Sequence, residues 1–306
     1  RLEKYFSPDT AAILAAGGLV GVSTGIEVPT ASGLERMHKG VTLNEMVRAC
    51  AAFKEAGILV HGYLIYGYWD QGEEEIIDAA EIVRQFFEQG LLDSAFWHKF
   101  TLGCHSRLCV EKAQGLHPGL QILYPENEPF ALNNLFFKGE DKYDKYAEPL
   151  ETLLSSWMKN KVTVTFLTPT VAPDLIQMIL DEYAKDRNKR QKLPPEKIRY
   201  NAEMEINGKL IFLSSMPILQ SDQKTLMWRW RLSDHRLKTK GLEVGGQKTK
   251  GLKEADKLIN LLNSASDKGM DIMHFYDELV AILGKEAAVK AWKTLRSGGL
   301  VLSNVK

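Results

Sequence analysis

Seven residues suited to ligand binding follow three short apolar runs of this 306-residue sequence. Each run has the length of a β-strand, and the segments read GVSTGIE, LIYGYWD and FWHKF. In a parallel α/β sheet, ligands bind beside the carboxyl ends of the strands. The candidates at these ends are Ser23, Gly25, Glu27, Tyr66, Gly67, Trp97 and His98.

Glu27 lies where the first of these strands is predicted to end, just after Ser23 and Gly25. A carboxylate in this position can accept hydrogen bonds from two vicinal hydroxyls, such as those of a ribose. Two structural roles are equally open for Glu27, namely capping of the next helix and an ion pair with Lys39 at the surface.

The stretch HGYLIYGYWDQGEEE, residues 61–75, ends an apolar run at Gly67 and continues as the acidic start of a helix. A glycine at this point lets a flat ligand or another backbone segment approach closely. The rings of Tyr66 and Tyr68 are of a type that stacks on such a ligand. A plain strand-to-helix turn is the alternative interpretation.

The segment FWHKF combines residues that favour a core with residues that do not. Trp97 and Phe100 are typical of a strand that packs in a core. His98 and Lys99 are harder to place there, because lysine is rarely buried without a partner. One face of this strand is therefore expected to be polar or to face a site.

The three cysteines, Cys50, Cys104 and Cys109, are too few for a disulfide framework, which favours a cytoplasmic chain. Cys104 and Cys109 are separated by four residues, with His105 between them, and this is not the spacing of a zinc ribbon. We interpret the cysteines as ordinary thiols and assign no metal ligand in this chain.

The composition limits the classes of partner. Hydrophobic residues make up 44% of the chain, a value typical of globular proteins. The 39 basic residues balance the 39 acidic ones, so nucleic acid is not favoured as the main partner. No run of 18 apolar residues predicts a membrane span, and no signal peptide is recognisable.

Three segments of residues 1–102 repeat one pattern, in which a helix ends at a glycine and a β-rich run follows. The glycines are Gly17, Gly57 and Gly90. Thr42 and Glu45 form the capping-box pattern at the start of the second helix. This alternation of helix and strand predicts a parallel sheet, either open or closed into a barrel.

The pattern changes after residue 102. Residues 103–237 are predicted to form an α+β extension, with a long loop over 103–140, two helices, a hairpin at Asn207–Gly208 and a further strand in TLMWRWRL. Residues 238–252 repeat KTKGL and are predicted to be a basic, glycine-rich linker. Residues 253–306 are predicted to form a tail of two or three helices and a short strand.

Three segments in order resemble the second half of a radical S-adenosylmethionine (radical SAM) domain. They are GLVGVSTGIEVPTASGLERMHKGVT, AGILVHGYLIYGYWDQGEEEIIDA and FWHKFTLGCHS, which fall within residues 1 to about 110. The closest likeness is to the class with a cobalamin-binding domain upstream. The resemblance implies an α/β fold, the C-terminal half (strands 4 to 6) of a partial (β/α)6 TIM-like barrel, followed by an α+β region and a small helical C-terminal module.

The resemblance also implies an activity. In this family a [4Fe–4S] cluster and S-adenosylmethionine (SAM) generate a 5′-deoxyadenosyl radical, or SAM donates a methyl group through cobalamin. The implied partners are SAM, an unknown substrate and an electron donor such as flavodoxin or ferredoxin. By analogy, Ser23, Gly25 and Glu27 hold the ribose or methionine end, Tyr66 and Gly67 lie beside the adenine, and Trp97 and His98 help to close the site.

The sequence departs from the family at three points. It has Tyr68–Trp69 where most relatives have a hydrophobic residue followed by proline, and it has no C-x3-C-x2-C motif for the cluster. It also lacks the glycine- and glutamate-containing second strand that holds the amino group of SAM in the family. Since the sequence begins at Arg1, we expect it to be the C-terminal part of a longer enzyme. We expect this part alone neither to bind a cluster nor to cleave SAM.

Two other functions are compatible with the sequence. The first is a non-redox α/β domain whose helical tail binds a partner, or binds nucleic acid as a winged helix through Lys290, Lys293 and Arg296. The second is a metal-independent βα-barrel lyase or aldolase. For that chemistry only Glu27 and Lys99 stand at strand ends, and nothing in the sequence places them together.

Overall fold

The computed structural model describes residues 2–3, 5–124, 133–161, 167–192, 209–221, 225–230, 233–239 and 250–303. The chain divides into two compact units. The first unit comprises Arg1–Phe6 and Val20–Asp181, and the second comprises Ser7–Leu19 and Glu182–Lys306. The fold is mixed α/β, as predicted, with several small sheets.

Ten α-helices lie within the described residues. They are α1 (Pro8–Ala16), α2 (Ala31–Arg36), α3 (Leu43–Glu55), α4 (Glu73–Glu88), α5 (Arg107–Ala113), α6 (Ala147–Met158), α7 (Leu175–Lys192), α8 (Lys250–Lys268), α9 (Ile272–Leu283) and α10 (Lys285–Ser297). A 3₁₀ helix (Glu140–Tyr146) directly precedes α6.

Twelve strands lie within the same ranges. They are β1 (Gly21–Glu27), β2 (Leu59–Tyr66), β3 (Ser94–Lys99), β4 (Leu102–Gly103), β5 (Ile122–Leu123), β6 (Asn134–Phe137), β7 (Lys209–Phe212), β8 (Ile218–Leu219), β9 (Thr225–Trp230), β10 (Ser233–Lys238), β11 (Met270–Asp271) and β12 (Leu300–Ser303).

The central feature of the first unit is a three-stranded sheet in the order β1-β2-β3. Both strand pairs are parallel, which confirms the prediction from the alternating helices and strands. Side chains in register across the sheet point to the same face, as in the row Ser23, His61 and Ser94. Within the described part of the chain no sheet closes into a barrel.

The predicted helix signals act as expected in this unit. Thr42 and Glu45 form a reciprocal capping box at the start of α3. Gly57 and Gly90, just past α3 and α4, have φ angles of 78° and 64° in the left-handed region that glycine tolerates. The short helix α2, capped by Thr30, was not singled out from the sequence because it spans only six residues.

Residues 103–140 contain more structure than the predicted loop. Strands β4, β6 and β5 form a small antiparallel sheet in that order, and α5 follows its cap Ser106. Strands of two to four residues carry too few side chains for a period to show, which explains the wrong prediction. Pro149 lies in the first turn of α6, where a missing N–H costs nothing.

Helix α4 carries a buried ionic cluster that joins it to the segment before α7. Arg84 donates to Glu81 through Nη2 at 2.8 Å and Nε at 2.9 Å, and both side chains are almost fully buried. Gln85 donates to the carbonyl of Ala172 at 2.8 Å, and the N–H of Leu167 donates to Glu81 at 3.2 Å. These contacts fix residues 167–172 against α4.

The second unit packs helices onto a different sheet. Strand β7 is central, with β11 and β12 antiparallel on its two sides, and β9 pairs with β8 and β10 in another sheet. The predicted strand in TLMWRWRL is therefore present as β9, but it pairs in a different sheet from β7. The shared core includes Phe212, Leu258, Leu262, Phe275, Leu279, Trp292, Leu295 and Leu300.

Several predictions for the C-terminal half have different outcomes. The predicted three helices and the final strand of the tail are present as α8, α9, α10 and β12. Helix α8 begins at Lys250, so the last residues of the predicted linker are helical. Lys238, the first residue of the predicted linker, is the last residue of strand β10, so the linker was predicted to start too early. Its residues 240–249, and the hairpin turn at 207–208, lie outside the described residues. The domain boundaries near 103 and 240 stay predictions.

Removal of the Glu81 carboxylate is expected to destabilise the first unit, because Arg84 would keep its charge where its side chain is only 1% exposed. We expect Glu81→Ala to lower the free energy of unfolding by about 3–5 kcal/mol. Urea unfolding followed by circular dichroism measures this loss. The matched control, Glu81→Leu with Arg84→Met, removes both charges and is expected to recover most of the stability.

The same cluster predicts a dependence on pH. Burial alone raises the pKa of Glu81, but hydrogen bonds from Arg84, Gln85 and the Leu167 N–H outweigh it and hold the pKa below its ordinary value. The stabilisation by Glu81 is therefore complete above the ordinary carboxyl pKa and is lost as the pH falls through the folded-state value. In acid the wild type keeps the buried Arg84 charge beside a neutral Glu81, so its free energy of unfolding should fall towards that of Glu81→Ala and below that of the double variant. A difference between wild type and double variant that stays constant with pH would contradict this.

Candidate functional site

The end of β1 has an unusual backbone. The pairing register between β1 and β2 shifts between Gly25 and Glu27, and Glu27 has a φ angle of 62°. A non-glycine residue in this left-handed region is uncommon and is found preferentially at functional sites. The shift redirects the Glu27 side chain away from the regular alternation of the strand.

The Glu27 carboxylate folds back over Gly25 and pairs with Lys39. Lys39 Nζ lies 2.5 Å from Glu27 Oε1, and both side chains are partly buried. A Cβ at Gly25 would collide with Glu27 Oε1 and lie 3.0 Å from Lys39 Nζ. Of the roles predicted for Glu27, the ion pair with Lys39 is the one that the structure contains, and Gly25 supplies the space for it.

The close approach predicted at Gly67 is made by the protein itself. Gly67 has a φ angle of 80°, and the position of a Cβ there is 3.1 Å from the Tyr143 side chain. The Tyr143 hydroxyl lies 2.8 Å from the carbonyl oxygens of both Tyr68 and Gln71. The Gln71 side chain in turn accepts a hydrogen bond from the Gly67 N–H at 2.6 Å.

The seven predicted site residues divide between the two faces of the β1-β2-β3 sheet. Tyr66 and Trp97 are buried, with ring centroids 6.3 Å apart, on the face that also carries Leu64 and Ala95. We call this the covered face. Ser23 and His98 are exposed on the opposite, open face, where the Glu27 carboxylate also lies over Gly25. A binding role for each residue stays a prediction.

Lys99 follows Trp97 on the covered side and ends in an acidic environment. Its Nζ lies 2.7 Å from Asp144 and 3.4 Å from Glu140. Burial lowers the pKa of Lys99, but the hydrogen bond to Asp144 and the two negative charges outweigh burial and raise it. A protonated amine is a poor nucleophile, so Lys99 does not support the aldolase interpretation.

Sequence reasoning missed four residues of the open face, namely His61, Tyr63, Ser94 and Phe96. His61 Nδ1 lies 2.7 Å from Ser94 Oγ, across the β2–β3 pair. The alternation of HGYLIY and SAFWHK contains the signal, because His61, Tyr63, Ser94, Phe96 and His98 recur at every second position and only Ile65 among these positions is aliphatic. These four residues lie in the middle of their strands, so a search at the carboxyl ends of strands does not select them.

The loop after β2, where the family resemblance expects a proline, is held by ionic and aromatic contacts. Arg36 of α2 pairs with Asp70 at 3.1 Å and with Glu75 at 2.7 Å, and its guanidinium lies 5.8 Å from the Tyr68 ring centroid. The Trp69 ring lies against Gly119, because a Cβ added at Gly119 would be 3.2 Å from a ring carbon of Trp69. Side-chain contacts, rather than a proline, therefore hold this turn.

The cysteines do not form a ligand set. Cys50 is buried, and burial raises its thiol pKa to about 12. Cys109 Sγ lies 3.2 Å from the carbonyl oxygen of Gly103. Across the described ranges no three His, Cys, Asp or Glu side chains are grouped so that they could hold a metal ion.

The cations proposed for nucleic-acid contact on α10 are not equivalent. Lys290 and Lys293 are exposed, whereas Arg296 is buried. Arg296 Nη2 lies 2.7 Å from Asp9 of α1, and Arg296 also donates to the carbonyl of Leu300. Arg296 therefore fixes α1 to the end of α10 and is not free to contact phosphate, which corrects its predicted role.

No family model matches this sequence, and no curated protein matches it either. Among the described residues, none of the helices combines the length and the apolar character that a bilayer span requires.

Substitution of Gly25 by alanine is expected to break the Glu27–Lys39 pair, because the new methyl group would occupy the position of the carboxylate. We expect Gly25→Ala to lower the free energy of unfolding by about 1–3 kcal/mol. Gly21→Ala in the same strand is the matched control, since a Cβ there meets Leu59 Cβ at an ordinary 3.5 Å. Carboxyl carbon shifts of Glu27 report the pair, and equal effects of both variants would contradict this assignment.

Proposed function

We propose that this chain contributes the SAM-binding wall of a radical SAM enzyme. One observation carries the proposal: three parallel strands in chain order leave one face open, and at its carboxyl end a strained Glu27 holds a carboxylate above Gly25. In this proposal the β1-β2-β3 sheet corresponds to strands 4 to 6 of a partial (β/α)6 barrel. The resemblance of the three segments supplies the family, and the geometry supplies a possible ribose ligand.

Glu27 and Lys39 together suit a vicinal diol. The carboxylate accepts hydrogen bonds from two hydroxyls, and the ammonium donates to a hydroxyl oxygen beside it. The side chains are partly buried and lie 2.5 Å apart, so a ribose can contact both. His98, exposed on the same face, is the second residue proposed to contact the nucleoside. Tyr66 and Trp97 support the wall from its covered face.

The cluster does not fit the residues of this chain. The sequence has no C-x3-C-x2-C motif, and Cys50 is buried with a raised pKa, which disfavours the thiolate that an iron ligand needs. We therefore assign no cluster ligand here, and the radical-forming or methyl-transfer chemistry, the cobalamin and the flavodoxin or ferredoxin donor belong to the proposed whole enzyme.

Binding of SAM to this chain tests the ribose role of Glu27. Isothermal titration calorimetry should show saturable binding of SAM and adenosine, and weaker binding of 2′,3′-dideoxyadenosine. Glu27→Gln keeps the size of the side chain but removes its charge, and we expect it to weaken SAM binding about tenfold. Glu35→Gln, an exposed carboxylate on α2, is the matched control and should change little. No SAM binding, or no preference for the diol, would overturn the proposal.

Anaerobic reconstitution with iron and sulfide tests the assignment of cluster ligands. We expect no stoichiometric cluster absorbance on this chain, because its cysteines lack the required spacing. The variant carrying Cys104→Ser and Cys109→Ser is the control for iron bound by these two thiols. A stoichiometric cluster in wild type that disappears in this variant would show that the assignment is wrong.

A further inference from the structure

The two faces of the β1-β2-β3 sheet differ in residue type. The covered face is apolar in its centre and buried, with Ile26, Val60 and Leu64 at 0% exposure and the rings of Tyr66 and Trp97 beside them. The open face carries serine, histidine, tyrosine and phenylalanine side chains together with two aliphatic ones, Leu59 and Ile65. Parallel sheets normally have both faces covered, so an open face on such a sheet needs an occupant. The residue types indicate which kind of occupant it is.

The open face is arranged in cross-strand rows. Ser23, His61 and Ser94 form the first row, and Gly25, Tyr63 and Phe96 form the second. Ile65 and His98 are paired in the third row, next to the carboxyl ends of the strands. The first two rows therefore combine hydrogen-bonding or aromatic groups from adjacent strands, and the third adds His98 beside the aliphatic Ile65.

Four rings of these rows are in continuous contact, and we call them the ring ladder: His61, Tyr63, His98 and Phe96. The ring centroids of His61 and Tyr63 are 5.0 Å apart, those of Tyr63 and His98 6.0 Å, and those of His98 and Phe96 4.4 Å. Tyr63 is 42% exposed and Phe96 is 52% exposed. Two aromatic side chains are thus held side by side with their surfaces open.

Polypeptide packing is a poor match for this surface. A helix or sheet laid on it would remove Ser23, His98 and the second ring nitrogen of His61 from water, and an unpaired buried polar group is costly. A small ligand can stack on the rings and hydrogen-bond to these groups at its edge. Pockets for small molecules have this combination of aromatic walls and a few polar groups.

We propose that the ring ladder binds a flat aromatic or heteroaromatic ring, and that this ring is part of the substrate. The proposal rests on the proposed function, because it places the substrate on the same open face as the nucleoside. Phe96 and Tyr63 supply the stacking surface, and His61, held by Ser94, supplies a hydrogen bond at the ring edge. The Glu27–Lys39 pair, which the proposed function assigns to the ribose, borders the second row at Gly25.

A pair of probes of similar shape tests the preference for a flat ring. The chain is titrated with p-cresol and, separately, with 4-methylcyclohexanol, while the imidazole signals of His61 and His98 are followed by NMR. We expect p-cresol to shift both imidazoles saturably and the saturated alcohol to bind at least about threefold more weakly. Equal binding of the two probes, or p-cresol binding without shifts at His61 and His98, would overturn the proposal.

Variants test the surface itself. Phe96→Leu keeps an apolar side chain but removes the ring, and we expect it to weaken p-cresol binding about three- to tenfold. Phe136→Leu is the matched control, because Phe136 on β6 is equally exposed at 56% but lies outside the open face. Equal losses in both variants would overturn the proposal. If Phe96→Leu does not fold, the proposal is tested by the imidazole shifts of His61 and His98 in the wild-type chain with the two probes.

The two proposals can fail separately. SAM affinity of the Phe96→Leu variant should equal that of wild type, since Phe96 is assigned to the substrate and not to the nucleoside. If the wild-type chain does not bind SAM, the proposed function is overturned, and the measured preference for a flat ring still stands. Retained SAM binding with no preference for p-cresol would overturn only the substrate class.

Discussion

Burial of one face of a parallel three-stranded sheet is the constraint on which the first unit depends. Side chains alternate between the faces of a strand, and parallel register places each row of three side chains on one face. On the covered face Ile26, Val60 and Leu64 are removed from water, which stabilises the sheet. By the same alternation, the residues between them lie on the open face. Packing in this core does not restrict the types of these residues.

Glycine decides the geometry at two of the three strand ends, in different ways. At Gly25 the missing Cβ leaves room for the Glu27 carboxylate and the Lys39 ammonium. At Gly67 a positive φ angle and the missing side chain admit the ring of Tyr143. Both positions allow close approach, yet one faces a potential ligand and the other completes the protein's own packing.

Each unit also contains an ion pair, with at least one buried partner, at a place where distant parts of the sequence meet. Glu81 and Arg84 hold the segment before α7 in the first unit, and Asp9 and Arg296 join the two ends of the second. Such pairs contribute less net stability than apolar packing of the same volume, but loss of one partner is strongly destabilising. They therefore specify which segments meet rather than supply the main stabilisation.

The sequence by itself determined β1, β2, β3, α3 and α4 of the first unit, the parallel pairing and the ends of these helices, because these depend on local signals such as the capping box at Thr42 and the glycines after α3 and α4. It also contained the polar and aromatic alternation of β2 and β3. Only the tertiary structure decided that Tyr66 and Trp97 lie on the covered face, that Tyr143 fills the space at Gly67 and that Arg296 is buried against Asp9. These outcomes depend on contacts between residues far apart in the chain, and a local pattern of residues cannot specify the partner across such a distance.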